Sequence, residues 1–361
     1  MKKTITKKIE IFGKRILKSF LKTFSRKRNK TVQGVGEFNK ILVFRLDERI
    51  GNGLLLLPLL SAIRHSLPDA ELHLVLHHPV AETIRKYSIG LIDRFWPYYQ
   101  KKMLRNPVLF IKWFYALRGE KYNLILSSHN PDNFSLSQAI LGKWCAPDIL
   151  AGFRWKDSQD FYDVTIPSSP EKHYAESQLD LWRYFAGDIP VKWHFLKVPG
   201  EKIGSLYQDL QLENKRHGLL FWLGATGSKY LPASLISFLY DQLVRYFGQN
   251  VLLALGPSDR FLINSLPSEM KKNLIVWNRP LCETAVLFAG QKVFISADTG
   301  PAHLAAALGL PMLTFFINSS NAQYGYHDGI SRFSIEYQDM SGSHDEIIHY
   351  LKRLKKFADE Y

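Results

Sequence analysis

Apolar residues in this chain gather into short unbroken runs separated by longer stretches of mixed polarity. Residues 40–44 (Lys-Ile-Leu-Val-Phe), 71–76 and 123–126 are such runs, and each suits a strand buried on both faces. Between them an apolar helix ends near His65 and stops at Pro68-Asp69-Ala70. A helix spans 81–87, residues 91–95 precede a short strand or loop, and 107–118 form an aromatic-rich helix. Residues 150–200 carry less pattern: an amphipathic helix over 171–186, then a proline-bounded stretch, 190–199, suited to crossing between domains. The alternation then restarts, with strands at 218–223, 250–255, 273–276, 293–295 and 312–316. Helices at 232–246, 260–266, 283–289 and 302–308 separate them, and a basic, apolar helix closes the chain over 344–358. This alternation predicts an α/β fold of parallel, doubly wound sheets, whose ligands sit beyond the carboxyl ends of the strands. A length of 361 residues fits two such domains.

The first thirty residues follow a different pattern. Ile5, Ile9, Phe12, Ile16, Phe20 and Phe24 recur at three- or four-residue steps, with Leu17 and Leu21 beside them. On a helix they make one apolar stripe, with lysines on the other face. This arm carries twelve Lys or Arg and one acid, Glu10, so eleven of the chain's fourteen net positive charges sit here and the body is nearly balanced. A basic amphipathic helix of this kind is drawn to anionic lipid. A nucleic-acid arm needs no Phe/Ile stripe, and no recognition motif appears, so nucleic acid is not expected as a partner. Residues 26–37 read as a linker.

Two cysteines, Cys145 and Cys282, form neither a disulfide framework nor a zinc-ligand set, which points to a reducing compartment. No apolar run approaches a membrane span, and the first thirty residues lack the uninterrupted apolar core of a secretory signal.

Candidate chemistry lies where strands end. Residues 293–311 read as a strand, a tight Asp298-Thr299-Gly300 turn and a helix of small residues. Asp298 or Thr299 suits a helix cap, and Pro301 the first turn. A helix N-terminus at a strand's carboxyl end favours an anion such as phosphate, with His303 one turn in. The loop Gly224-Ala225-Thr226-Gly227-Ser228-Lys229 is a second phosphate site, with a point charge from Lys229, although it is not a P-loop. Gly256-Pro257-Ser258-Asp259 is a third loop of this type. In the first domain, Asp47, Glu48, Asn52 and His129 lie at strand ends, and Gly51 and Gly53 allow a sharp turn from strand to helix.

The run Asp298-Thr299-Gly300-Pro301-x-His303-x-Ala305-Ala306-Ala307-x-Gly309-x-Pro311 resembles the signature of glycosyltransferase family 9, the ADP-heptose:lipopolysaccharide heptosyltransferases. Supporting matches run from about 40 to 330: Lys-Ile-Leu-Val at 40–43, Gly51-x-x-Leu54-x-x-x-Pro58-Leu59-Leu60, the Pro68 break, Lys172-His173, Gly224 to Pro232, and Gly256-Pro257. The resemblance implies a GT-B fold, two Rossmann-like domains facing across a cleft. On that basis 1–37 is an arm and linker, 38–195 an acceptor-side domain and 196–340 a nucleotide-sugar domain. Residues 341–361 form a helix able to cross back to the first domain.

The resemblance further implies an inverting transfer with no metal and no cofactor besides the nucleotide sugar, expected to be ADP-heptose. Asp298, Thr299 and Gly300 would meet the donor's phosphates and sugar, with His303 near the diphosphate. Thr226 and Lys229 would hold the diphosphate as it leaves, and Gly256 and Asp259 would border the ribose. The adenine would lie against 277–283. Negative charge grows on the leaving group, so a fixed cation and helix N-termini there lower the barrier. The acceptor hydroxyl needs a carboxylate base. The family has Gly-Asp at the first-domain turn, whereas this chain has Gly51-Asn52, and a neutral amide is no base. Asp47 and Glu48 are the nearby carboxylates, although they also suit a salt-bridge cluster with Arg45 and Arg49; the alternative is that Asn52 only orients an acceptor and catalysis is altered or lost. The expected role is transfer of a sugar, with heptose favoured, to a lipid-linked glycan such as lipopolysaccharide core. It would take place at the inner face of the cytoplasmic membrane, with residues 1–30 on the anionic surface. The alternatives are another nucleotide sugar on the same fold, or a catalytically weak sugar-nucleotide-binding protein.

Overall fold

A computed structural model of the chain describes residues 34–360 apart from 157, 170, 191, 192, 194 and 339–343. The amphipathic arm lies outside the described residues. The first domain is built on β1 (Lys40–Phe44), β2 (Glu71–His77), β3 (Arg94–Tyr98), β4 (Leu124–Ser127), β5 (Ile149–Phe153) and β6 (Val164–Ile166). They form one parallel sheet in the order β3-β2-β1-β4-β5-β6. The second domain repeats the plan with β7 (Leu219–Trp222), β8 (Val251–Leu255), β9 (Leu274–Val276), β10 (Val293–Ala297), β11 (Met312–Phe316) and β12 (Arg332–Glu336). Its order is β12-β11-β10-β7-β8-β9. Counted from each domain's own first strand, both sheets have the doubly wound order 3-2-1-4-5-6, which opens a crevice where the connections diverge. Those switch points lie between β1 and β4 and between β7 and β10.

The central strands are continuous apolar runs because helices cover both faces. Ile41, Leu42, Val43 and Phe44 are all fully buried, as are Val293, Phe294 and Ile295. Some elements were not expected from the sequence. β12 buries Arg332 and Ser334 beside Phe333 and Ile335, so its composition reads as polar. β5 contains Ala151 and Gly152, and a side chain at Gly152 would collide with the Tyr162 ring at 2.4 Å. The helices Leu136–Trp144 and Gly200–Asp209 are likewise additional, and the helix expected at 260–266 is the tighter 3-10 stretch Pro257–Ser265.

The two domains share an apolar layer. Helix His78–Tyr87 of the first packs on Leu281–Ala289 of the second, and Ile50–Leu54 packs on Gly300–Ala307. The crossing segment ties both: Leu196 N–H donates to Ala307 O at 2.8 Å, and Lys197 N–H to Tyr87 O at 2.7 Å. The final helix, His344–Glu360, does not use its apolar face on the first domain. Its buried Ile347, Leu351, Leu354 and Ala358 join the second domain's core beside helix Ala233–Phe247.

Candidate functional site

The donor-side residues come from loops at the carboxyl ends of β7, β8 and β10, with β7 and β10 flanking the switch point. Lys229 reaches from the β7 loop and forms an ion pair with the buried carboxylate of Asp298, which follows β10. Asp298 is only 4% exposed, so Lys229 supplies the positive charge that makes its burial tolerable. Thr299 occupies the N-cap of helix Gly300–Ala307, yet its hydroxyl donates to Ala297 O at 3.3 Å and no side chain caps the helix. In the first turn Pro301 has no N–H and the Ala302 N–H donates to Thr299 O at 3.0 Å, so the Gly300 N–H is the donor left for an anion. Thr226 is exposed, and its carbonyl accepts the Lys229 N–H at 3.4 Å, closing the turn.

His303 is buried behind Asp298. Its Nδ1 lies 2.7 Å from the Tyr326 hydroxyl and its Nε2 lies 4.0 Å from Asp298 Oδ1. Burial pushes the imidazole pKa down to about 4, against the opposing pull of Asp298, so the ring is neutral at pH 7. Asp259, which caps the stretch after β8, accepts from Tyr230 Oη at 2.6 Å and from Gly256 N at 3.2 Å. A methyl group on Gly224 would meet its Oδ2 at 2.4 Å. Asp259 thus braces the β7 and β8 loops together with oxygens that already have donors. In the 277–283 region, Trp277 is buried and donates to Thr284 Oγ1 at 2.9 Å, and Arg279 pairs with Glu283. A cavity of about 510 Å³ lies there against the first domain, lined by Lys86, Tyr87, Arg279, Cys282 and Glu283 among others.

Across the crevice, Arg45 directly follows β1 and is 1% exposed. Its guanidinium donates to Ser128 O and Asn130 Oδ1 beyond β4 and pairs with Asp47. Burial lowers the Arg45 pKa, and Asp47 counteracts that. Asp47 Oδ2 also accepts from Asn52 Nδ2 at 3.1 Å, and Oδ1 accepts the Arg49 N–H at 3.0 Å. The Asp47–Arg45 pair is therefore present, and Asn52 is buried against it. Glu48 is exposed and makes no ion pair among the described residues. The halves meet at Gly51, where an added Cβ would lie 2.3 Å from His303 Cδ2.

Sequence reading gave Arg45 no more than a place in a salt-bridge cluster. An arginine ending a buried run was the available signal. It missed Tyr326, which orients His303, because residues 321–331 have no periodicity. His173, quoted only as part of a motif, caps helix Tyr174–Ala186 by accepting the Ala175 N–H at 3.3 Å. Its ring lies 5.4 Å from that of Tyr326, and burial lowers its pKa to about 4. His129 is also held below its usual value by burial and by Arg45.

Both His303 and His173 are neutral when folded and titrate near 6.5 when unfolded. Between those values the unfolded chain binds protons that the folded one does not. Stability should therefore fall as the pH drops from about 6.5 to about 4, by up to about 3 kcal/mol per group. Urea unfolding across this range measures it, and a flat profile would contradict two buried neutral rings.

Residues 110–342 match the family described as glycosyltransferase family 9 (heptosyltransferase). The chain belongs to glycosyltransferase family 9. Asp47, Glu48 and Asn52 precede the matched segment, whereas every donor-side residue named above lies within it. The family 9 chain is 27% identical over 169 residues to a Haemophilus influenzae protein provisionally named a glycosyltransferase, covering 43% of this chain and 49% of that one. It thus spans about half the length of that relative. Solved structures share its GT-B fold. Escherichia coli ADP-heptose lipopolysaccharide heptosyltransferase II superposes with a TM-score of 0.68 at 17% identity, covering 89% of this chain and 99% of the other. A family 9 protein from Veillonella parvula gives 0.69 at 15%, covering 92% and 99%. Escherichia coli heptosyltransferase WaaC with ADP-2-deoxy-2-fluoro heptose gives 0.63 at 17%, covering 89% and 99%.

Proposed function

We propose that this glycosyltransferase moves a sugar, heptose first among the options, from a nucleoside diphosphate held on the second domain to a lipid-linked glycan such as lipopolysaccharide core. The transfer inverts the anomeric centre and needs no metal. The observation that carries this reading is the contact of Gly51 with His303. It sets the Asp47–Asn52 turn against the helix whose N-terminus opens beside Lys229. An acceptor hydroxyl lying in that crevice attacks the anomeric carbon as the bond to the diphosphate breaks. The departing charge meets Lys229 and the N–H of Gly300, with Thr226 and Thr299 at the rim. The hydroxyl proton passes to a carboxylate.

Asp47 is the better placed base. A carboxylate has about four lone-pair sites, and Arg45, Asn52 and the Arg49 N–H fill three, leaving one for an acceptor hydroxyl. Asp47→Asn should lower turnover by about two orders of magnitude or more, the scale of lost general-base catalysis, with nucleotide affinity retained. Glu48→Gln should stay within about threefold of the parent, the change expected when an exposed group leaves the chemistry alone. If Glu48→Gln gives the large loss, the base is Glu48. If both variants keep full rate, the base lies elsewhere.

Support for the acceptor's location comes from the arm, whose basic amphipathic pattern suits an anionic membrane on the cytoplasmic side. None of the described helices is long and apolar enough to cross a membrane. A second reading, a sugar-nucleotide-binding protein with little turnover, is favoured by Asn52, whose amide is spent on Asp47. Calorimetry with ADP, ADP-heptose and UDP-sugars in the presence of a chelator, paired with turnover on a lipid-linked acceptor, decides. Binding and transfer support the first reading, and binding alone supports the second. No binding by any nucleotide sugar ends both.

A further inference from the structure

We propose that the helices Gln100–Arg105 and Pro107–Gly119 form a face that inserts into an anionic lipid bilayer and sets the acceptor side of the cleft against it. Leu104, Val108, Ile111 and Tyr115 are 74%, 60%, 50% and 68% exposed. Val108, Ile111 and Tyr115 fall on one side of a single helix. Phe110, Trp113 and Phe114 lie half-buried beneath, and Trp144, 49% exposed, meets Phe114 edge-on at 6.2 Å. Helix Pro107–Gly119 buries only Leu117 fully, and Val108, Ile111 and Tyr115 stand on its outer surface. Among the described residues nothing covers this stripe. A contiguous exposed patch of this kind marks an interaction site.

Charge selects the occupant. Residues 100–119 contain Lys101, Lys102, Arg105, Lys112 and Arg118 and no acid. All five are exposed. A second copy of this face would bring like charge to like charge. The chain's own arm, with twelve basic residues against one acid, is repelled for the same reason. An anionic lipid surface satisfies both features: aliphatic side chains enter the acyl boundary, aromatic rings sit at the headgroup level, and cations meet lipid phosphates. Nucleic acid would satisfy the cations but leave Leu104, Val108 and Ile111 without a partner.

The location fits. One residue separates helix Gln100–Arg105 from Tyr98, at the carboxyl end of β3, the end at which Arg45 and Ser128 line the crevice. Glu48 is close enough to Tyr98 to raise its pKa further beyond what burial does. Helix Pro107–Gly119 then runs back toward the start of β4. Helix Gln100–Arg105 therefore starts at the sheet end that carries the Asp47 loop, and a membrane-borne acceptor has a short path inward. This inference rests on the proposed lipid-linked acceptor for its purpose, but its readout is membrane contact and not transfer.

The test uses the full chain with phosphatidylcholine vesicles, with and without phosphatidylglycerol. Combined Leu104→Ser, Val108→Ser, Ile111→Ser and Tyr115→Ser changes should weaken binding to the anionic vesicles by about tenfold or more, because the buried apolar area is lost. Melting temperature and ADP binding should stay at the parent values, since these side chains are exposed. Residues 1–33 contain no tryptophan, so quenching by brominated acyl chains reports on the body alone. The emission lost on Trp144→Phe should account for part of that quenching. Unchanged vesicle binding by the serine variant overturns the proposal, as does binding without bromolipid quenching. Preference for a single-stranded RNA over vesicles, or self-association abolished by the serine changes, would also overturn it. In each of those cases, donor binding and transfer by the same preparations still judge the glycosyl-transfer reading separately.

Discussion

Lys229→Ala should lower turnover by about two to three orders of magnitude, the scale at which removal of one transition-state charge stabiliser is felt. Two separate losses are expected, and they can be told apart. In the resting protein Lys229 neutralises Asp298, whose side chain is 5% exposed. Without the ammonium, that carboxylate stays buried and unpaired, which costs about 3 kcal/mol of stability, near the low end because Lys229 itself is partly exposed. During transfer the same ammonium meets the departing diphosphate, so its loss also raises the barrier. The double variant Lys229→Ala, Asp298→Ala removes the unpaired charge and should recover most of the stability without recovering the rate. Unfolding midpoints and single-turnover rates on the four proteins of the cycle separate the two effects. Recovery of rate with stability would mean that Lys229 does no more than hold Asp298. A full rate in Lys229→Ala alone would move the diphosphate elsewhere.

The chain declared its fold where burial is two-sided. β1, β4, β7, β8 and β10 each carry a run of three to five apolar residues, and a run of that kind has few other uses in an α/β protein. The same logic hid β12, because Arg332 and Ser334 are buried there through tertiary contacts that composition does not record. Arg332 stacks over Phe195 from the crossing segment and donates to Ala306 O. The donor loops were legible because glycine and the helix start leave local marks. Their internal wiring was not: the partner of Lys229 is sixty-nine residues away, and that of Asp259 twenty-nine. Arg45 shows the limit most plainly. In the sequence it is one of four charged residues in a row of five, 45–49, and only the fold turns it inward to bond Ser128 and Asn130.

Gly51→Ala should be nearly as damaging as loss of Lys229, although Gly51 carries no chemistry. Its Cβ would stand 2.3 Å from His303 Cδ2 and 3.0 Å from Nε2, closer than atoms can pack. The imidazole has no easy retreat. It is buried among the small residues of its helix, its Nδ1 is bonded to Tyr326 at 2.7 Å, and Asp298 lies beyond Nε2. The alternative is for the helices Ile50–Leu54 and Gly300–Ala307 to part by about an ångström, which moves the Asp47 turn away from the donor side. Misplacement on that scale costs about a hundredfold in rate, and the overpacking costs about 1–3 kcal/mol. Gly53→Ala is the control. It lies in the same helix turn, but its Cβ would meet Val80 Cγ1 at 2.9 Å and the ends of Leu76, which belong to the first domain itself and not to the donor side. Gly53→Ala should therefore keep turnover within about tenfold of the parent. If Gly51→Ala keeps its rate while melting earlier, the contact holds the domains together without setting the distance between acceptor and donor.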